Sequence, residues 1–211
     1  MHKVKISLIK YLVLLLSYLY FWGLRRKLYT LKNKAFSLYF SRKFKKTGPR
    51  FYVESSGMIV GAKYISVGDN FQAFGRLRME AIDYYLDNKF SPSIKIGKDV
   101  SINYDCHIAA INQIVIGNGV LIGSKVLITD HAHGSVASED MCLLPAMRKL
   151  KSKGPVVIGN NVWIGESVAI LPGVTIGANS IIGANSVVTS DVKGNAVYAG
   201  IPAKQVKNLG I

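Results

Sequence analysis

The sequence predicts an all-β fold, a parallel β-helix wound from hexapeptide repeats, preceded by a helical extension over residues 1–50. Three observations predict it. Ile158, Ile164, Ile170, Ile176, Ile182 and Val188 recur every six residues without a slip, and Gly159, Gly165, Gly177 and Gly183 each follow one of them. A second array runs Ile96, Ile102, Ile108, Ile114 and, after an offset of two residues, Ile116, Ile122 and Ile128, with Gly97, Gly117 and Gly123 next in line. The third observation is a segregation of charge: residues 1–50 hold 13 Lys/Arg and no Asp or Glu, leaving 14 basic against 12 acidic from residue 51 onward. A helix repeats near 3.6 residues and an ordinary strand at two, so neither accounts for sixes.

The 211 residues are 49% hydrophobic and 18% charged, with 20 Gly against 6 Pro. Disorder, collagen and coiled coil are excluded, and one substantial domain plus an appendage fits the length. The net charge of +15 belongs to the N-terminal extension alone, and no stacking-plus-glycine motif accompanies it, so no nucleic-acid partner is expected. Cys106 and Cys142 lack C-x-x-C spacing, which removes a disulfide scaffold and a Cys-based zinc site and leaves a reducing cytoplasmic setting as the default.

Within the extension, Tyr11 to Leu24 carries no charge. Fourteen helical residues span only about 21 Å against a hydrocarbon core of about 30 Å. Extending back to Ile6 includes Lys10, which could snorkel, so a marginal single span stays open. No small-residue cleavage site follows, and Arg25, Arg26 and Lys27 arrive instead, which argues against a signal peptide. Next, Leu28, Leu31, Ala35, Leu38 and Tyr39 fall at helical spacing, with Lys32, Lys34, Arg42, Lys43 and Lys45 largely elsewhere around the helix. Such a basic amphipathic helix suits an anionic cytoplasmic membrane face, reached through residues 1–46. The alternative is that its apolar stripe packs on the main domain or on a neighbouring subunit.

In the body, residues 51–211, each hexad supplies one short strand and a turn, with the branched aliphatic side chain pointing inward and glycine relieving the corner. Three hexads make one coil. The two arrays give about four coils, with an imperfect one from residues 58–70. Two segments break the period and are expected to leave the prism: residues 71–93, rich in aromatics and charge, and an excursion loop at 131–155.

The run NVWIGESVAILPGVTIGANSIIGANSVVTSDVKGNAVYAGIPAKQVK at 161–207 closely resembles the C-terminal half of the hexapeptide-repeat acyltransferases, left-handed β-helix enzymes that use acetyl-CoA. NYDC at 103–106 and TDH at 129–131 resemble the acceptor-site and catalytic-histidine motifs of the maltose, galactoside and nodulation-factor O-acetyltransferases. DHAHGS and RKLKSKGPVVIG at 148–159 look more like members from bacterial polysaccharide gene clusters, which points toward O-antigen or capsule modification. The left hand of the helix and a homotrimer are implied by this resemblance, since the general preference for right-handed crossovers predicts the opposite hand.

The chain has four histidines, His2, His107, His131 and His133, and the last two stand where the second array ends and the excursion begins. A thioester is already activated, so transfer to a sugar hydroxyl requires a base for the hydroxyl proton and donors for the oxyanion rather than an enzyme nucleophile. By resemblance His131 is that base and His133 a flanking substrate contact; without the family a lone loop histidine reads as structural. The resemblance likewise implies that Asn103 hydrogen-bonds the acceptor sugar with Asp105 nearby, and that Trp163 lies beside the pantetheine arm. It places Ala184 and Thr189 along the CoA channel and Lys204, with Lys207, near the nucleotide phosphates. Ser190 stands where Lys is common and Glu166 where Ser is common, so those contacts are expected to be rearranged. Arg148, Lys149, Lys151 and Lys153 at the basic end of the excursion suit an acidic glycan or CoA, or solvent.

The expected activity is acetyl transfer from acetyl-CoA to a sugar hydroxyl of a bacterial surface glycan or its lipid-linked precursor, with no metal. Three rivals share the evidence. N-acetylation of an amino sugar uses the same donor and fold. A γ-type carbonic anhydrase would need three histidines around a metal, and the H-x-H spacing of His131 and His133 does not match that family. A non-catalytic membrane scaffold would leave His131 and Asn103 without a purpose.

Overall fold

The computed structural model describes residues 2–19 and 22–210. Its body is a triangular prism with three parallel sheets as faces. The first sheet stacks Lys46–Thr47, Ile65–Val67, Ser93–Ile96, Gln113–Ile116, Val156–Ile158 and Thr175–Ile176. The second stacks Tyr52–Val53, Gln72–Ala73, Ser101–Ile102, Leu121–Ile122, Trp163–Ile164 and Ile181–Ile182, then Ala196–Gly200, and ends in the antiparallel strand Ala203–Asn208. The third stacks Met58–Val60, Arg78–Ala81, His107–Ala110, Leu127–Thr129, Ala169–Ile170 and Val187–Val188. This arrangement fits a left-handed parallel β-helix.

The repeat produces the core directly. On a strand alternate residues face one side, so one aliphatic residue per hexad recurs above its predecessor. Ile102, Ile122, Ile164 and Ile182 form one such column and Ile108, Ile128, Ile170 and Val188 another, all buried. The corners are as tight as their glycines imply: a Cβ on Gly165 would stand 2.6 Å from the backbone nitrogen of Ala184 on the next coil. The two-residue offset between the arrays is explained by Ile114 and Ile116, which both point inward from one strand.

The prism extends further toward the N-terminus than the period indicates. Lys46–Thr47 already pairs with Ser66 and Val67. Residues 71–81 do not leave the prism as expected; Phe71, Ala73, Leu77, Met79 and Ala81 are buried core, and only residues 82–92 project, as a hairpin pairing Tyr84–Tyr85 with Asn88–Lys89. Ala73 and Met79 stand in register with Ile102 and Ile108, and Phe71 falls opposite Val100, so the core continues while the isoleucine mark of the repeat is lost.

Helix α1 covers His2–Leu19 and α2 covers Trp22–Ser41. Tyr20 and Phe21, inside the predicted apolar run, lie outside the described residues. No helix among the described residues is long and apolar enough to cross a membrane, so the single span left open by the sequence is not formed by them. Helix α2 lies on the first coil, but not through its predicted stripe. Asn33 and Ser37 are the residues it buries: Ser37 Oγ donates to Val53 O at 3.0 Å and accepts from Val53 N at 2.9 Å, while Asn33 Oδ1 accepts from Ser55 N and its Nδ2 donates to Tyr52 OH, both at 3.1 Å. Phe36 and Phe40 pack beside them, leading through Phe44 and Phe51 to the buried Phe71. Leu28, Leu31, Leu38 and Tyr39 face outward, so the stripe does not pack on the main domain.

Candidate active site

Apart from the C-terminal antiparallel pair, the insertions into the regular hexad occur at one edge of the prism, where the third sheet passes to the first. Residues 82–92 leave there after Ala81, the two extra residues Ile111 and Asn112 sit there before Gln113, and residues 131–155 leave there after Thr129. Stacking brings the three together. The backbone N–H groups of Ile111 and Asn112 converge on one carboxylate from the coil above: Asp130 Oδ1 accepts from Ile111 N at 2.9 Å and Oδ2 from Asn112 N at 2.8 Å. Asp130 is fully buried. Its Oδ1 also meets His131 Nδ1 at 3.0 Å, and the His131 side chain is only 10% exposed.

This geometry assigns the imidazole. A carboxylate that already accepts two N–H groups accepts a third from Nδ1, and in the neutral ring that tautomer turns the Nε2 lone pair away from Asp130. Thr129 closes the turn by donating from Oγ1 to the His131 carbonyl at 3.1 Å and accepting from its N–H at 3.3 Å. His131–His133 then pairs antiparallel with Leu150–Ser152, which makes residues 134–149 an arm hung from the His131 turn. Asp140 is the arm's staple: Lys151 Nζ reaches its Oδ2 at 2.6 Å, with the Ser135 hydroxyl and N–H on the same oxygen, and these contacts hold its carboxyl down at about 2. His133 is exposed and packs edge-on against Tyr85, ring centroids 5.4 Å apart, while Tyr85 OH donates to Ala146 O at 2.8 Å. The lower hairpin thus props the arm.

The other predicted residues lie elsewhere. Asn103 and Asp105 occupy the corner between the second and third sheets, the opposite edge of the strand that leads toward Ile111. The four residues His107–Ala110 that separate the two edges span about 13 Å at 3.3 Å per residue. Asn103 Nδ2 donates to Ile122 O at 3.0 Å. Arg76 binds Asp105 in a bidentate pair that lowers its carboxyl below the ordinary range. On the next two coils of that corner Lys125 meets Glu166 at 3.1 Å. Trp163 stands outward on the second sheet, half exposed, in register with Leu121, Ile181 and Val197. Ala184 follows at the adjoining corner, and Lys204 and Lys207 lie on the terminal strand opposite Ala199 and Val197. Thr189 belongs to the His131 edge instead, following Val188. The predicted residues therefore divide into the His131 edge and a second sheet with its far corner.

Two further groups drop out of the chemistry. Cys106 is buried, its Sγ donates to Gly123 O at 3.0 Å, and burial pushes its thiol up to about 11. His107 Nε2 meets Glu80 at 2.9 Å on the third sheet, where Arg78 also holds that carboxylate, and among the described residues no group of three or more His, Cys, Asp or Glu is placed to hold a metal. The sequence reading missed Asp130 and Tyr85. The signal for Asp130 was present in the two-residue offset between the arrays, which is the corner that binds its carboxylate.

The family profile described as Bacterial transferase hexapeptide (six repeats) matches residues 155–190. A protein of Escherichia coli K12 provisionally named lipopolysaccharide biosynthesis O-acetyl transferase WbbJ is 42% identical over 151 residues, covering 68% of this chain and 71% of the relative. The chain belongs to the hexapeptide-repeat acyltransferase family. The galactoside O-acetyltransferase of the same organism is 33% identical over 162 residues, 74% of this chain and 70% of that protein. Among solved structures, a galactoside acetyltransferase in complex with coenzyme A superimposes with a TM-score of 0.54 at 31% identity, over 81% of this chain and 68% of that one. AntD, an N-acyltransferase from Bacillus cereus solved with coenzyme A, has a TM-score of 0.62 over 80% of this chain and 86% of its own, and at 18% identity it speaks for the fold. As a hexapeptide-repeat acyltransferase the protein is an enzyme of group transfer.

Proposed function

We propose that the protein transfers acetyl from acetyl-CoA to a sugar hydroxyl of a bacterial surface glycan, such as O-antigen or capsule, or of its lipid-linked precursor. The observation that carries this reading is the buried Asp130 carboxylate, which orients His131 and leaves Nε2 free to accept a proton at the prism edge. As the hydroxyl oxygen bonds to the thioester carbonyl carbon, its proton passes to His131 Nε2. When the carbon–sulfur bond breaks, that proton goes to the departing sulfur, and His131 returns to its starting tautomer. The Asp130 carboxylate stabilises the imidazolium formed between the two steps.

His131, His133 and Thr189 sit on one edge of the chain and the other predicted residues on the second sheet and its far corner, so the site closes between copies in a homotrimer. The His131 edge of one copy meets the second sheet of its neighbour, which brings Asn103, Asp105, Trp163, Ala184 and Lys204 to the donor and acceptor, with Thr189 and His133 from the first copy. The N-terminal arm holds the enzyme at the inner face of the cytoplasmic membrane. It carries no acidic residue before Glu54 and exposes the apolar stripe of α2, a combination that attracts anionic lipid.

The test is free-thiol release from acetyl-CoA with a panel of neutral sugars, amino sugars and lipid-linked sugars, comparing the protein with His131→Ala. Release that depends on a hydroxyl acceptor and vanishes in the variant supports the proposal. Release with amino sugars alone makes the enzyme an N-acetyltransferase, and a folded trimer that neither binds nor turns over acetyl-CoA leaves the scaffold reading.

A further inference from the structure

A surface helix normally turns its apolar stripe to the core; α2 turns Phe36 and Phe40 there but leaves a second apolar stripe outside. Its polar Asn33 and Ser37 are spent on the first coil, while Leu28, Leu31, Leu38 and Tyr39 are each between 56% and 64% exposed. Beside this stripe, between α2 and the corner joining the first two strands of the prism, runs an open groove of about 360 Å³. Lys34 lines its helix wall and Arg50 its prism wall, with Ser41, Thr47 and Tyr52 between them, and Leu38 belongs to both groove and stripe. Among the described residues no carboxylate lies within ion-pair distance of Lys34 or Arg50. Asp69 stands behind Gly48 at the prism corner, and Glu54 is buried, holding the hydroxyls of Tyr29 and Ser56.

We propose that this groove is a headgroup site for an anionic phospholipid of the bilayer, with the phosphate between Lys34 and Arg50 and the acyl chains along Leu31, Leu38 and Tyr39. An anion site opening directly onto an apolar stripe has the order of chemistries of an amphiphile, and a guanidinium opposite an ammonium suits a phosphodiester. A second copy of the chain is a poorer occupant, because its own arm brings 13 further cations and no anion. The proposal rests on the membrane reading given above and narrows it from diffuse attraction to one built site.

The experiment is partition of the full chain onto phosphatidylcholine vesicles with and without phosphatidylglycerol. Lys34→Ala/Arg50→Ala is compared with Lys32→Ala/Lys43→Ala, which removes equal charge from α2 and its C-terminal end. Size exclusion and thermal melting show that each variant is folded. Diffuse attraction predicts equal losses of about 30-fold, at about 1 kcal/mol per cation. The groove predicts that its own pair loses at least about tenfold more than the control pair and no longer prefers phosphatidylglycerol. Equal losses overturn the groove and leave the membrane reading standing. Absence of vesicle binding by the unaltered protein overturns both. If Leu31→Glu/Leu38→Glu breaks the oligomer and leaves partition unchanged, the stripe belongs to a second copy and the proposal falls.

Discussion

Replacing Asp130 by Asn tests the catalytic geometry more sharply than removing His131, because it keeps the volume and alters only charge and hydrogen bonding. The carboxylate accepts from Ile111 N, Asn112 N and His131 Nδ1. An amide has one acceptor oxygen, so whichever way it turns one backbone N–H faces an NH2 group. Leaving that buried donor unmet costs about 1–3 kcal/mol of stability, seen as a fall in melting temperature of about 2–4 °C per kcal/mol for a chain of this length. The catalytic effect is separate. The imidazolium formed during transfer loses an ionised partner, and hydrogen bonds to charged groups are worth about 1.5–3 kcal/mol, which is about a 10- to 150-fold loss of kcat at 1.36 kcal/mol per decade. The assay is steady-state thiol release at saturating donor and acceptor, alongside a melt of the same preparation. A folded Asp130→Asn enzyme whose kcat stays within about twofold of the parent refutes the assignment of Asp130 as the group that orients and balances His131.

Three other outcomes follow from single features. The Asp140 carboxyl is held at about 2 against an ordinary 3.8, so its contribution to the arm is complete above pH 4 and disappears as pH falls toward 2; proteolysis or hydrogen exchange within residues 134–149 should accelerate across that window, and Lys151→Met should produce the same loosening at neutral pH. Gly165→Ala drives a methyl into the backbone of Ala184, which should cost about 1–3 kcal/mol and part the two coils beside Trp163; an unchanged denaturation midpoint contradicts the packing. Burial raises the Cys106 thiol to about 11 while Cys142 is exposed, so an alkylating reagent at pH 8 should label Cys142 alone in the folded protein, as read by peptide mass. Labelling of Cys106 under those conditions would place that corner in a far more open state.

The hexad was legible because its physics is local. A flat strand, a tight corner and one inward branched side chain per six residues leave a mark on every repeat, from Ile96 to Val188. Where the core volume is filled by Phe71, Leu77 and Met79 the mark vanishes, although the coil does not, and residues 71–81 looked like an excursion. The stripe of α2 was equally visible, but its direction was not. The first coil presents Val53, the Ser55 N–H and the Tyr52 hydroxyl to the helix, and buried donors and acceptors must be met, so Ser37 and Asn33 turned inward at the expense of the leucines.

The candidate site divides in the same way. His131 and Asn103 were visible as residue types in motifs. That they stand on opposite edges of the third sheet, and that Ile111 and Asn112 fix the Asp130 carboxylate beside His131, depends on which coil lies beneath which. The order of residues settles what repeats: the period, the corners, the charge of the arm and the chemistry carried by each side chain. Stacking settles what meets. Ile111 and Asn112 lie far from Asp130 along the chain and touch it only because one extra pair of residues widens a corner directly below. Such contacts arise from the closing of the prism on itself, which no local preference of six residues encodes.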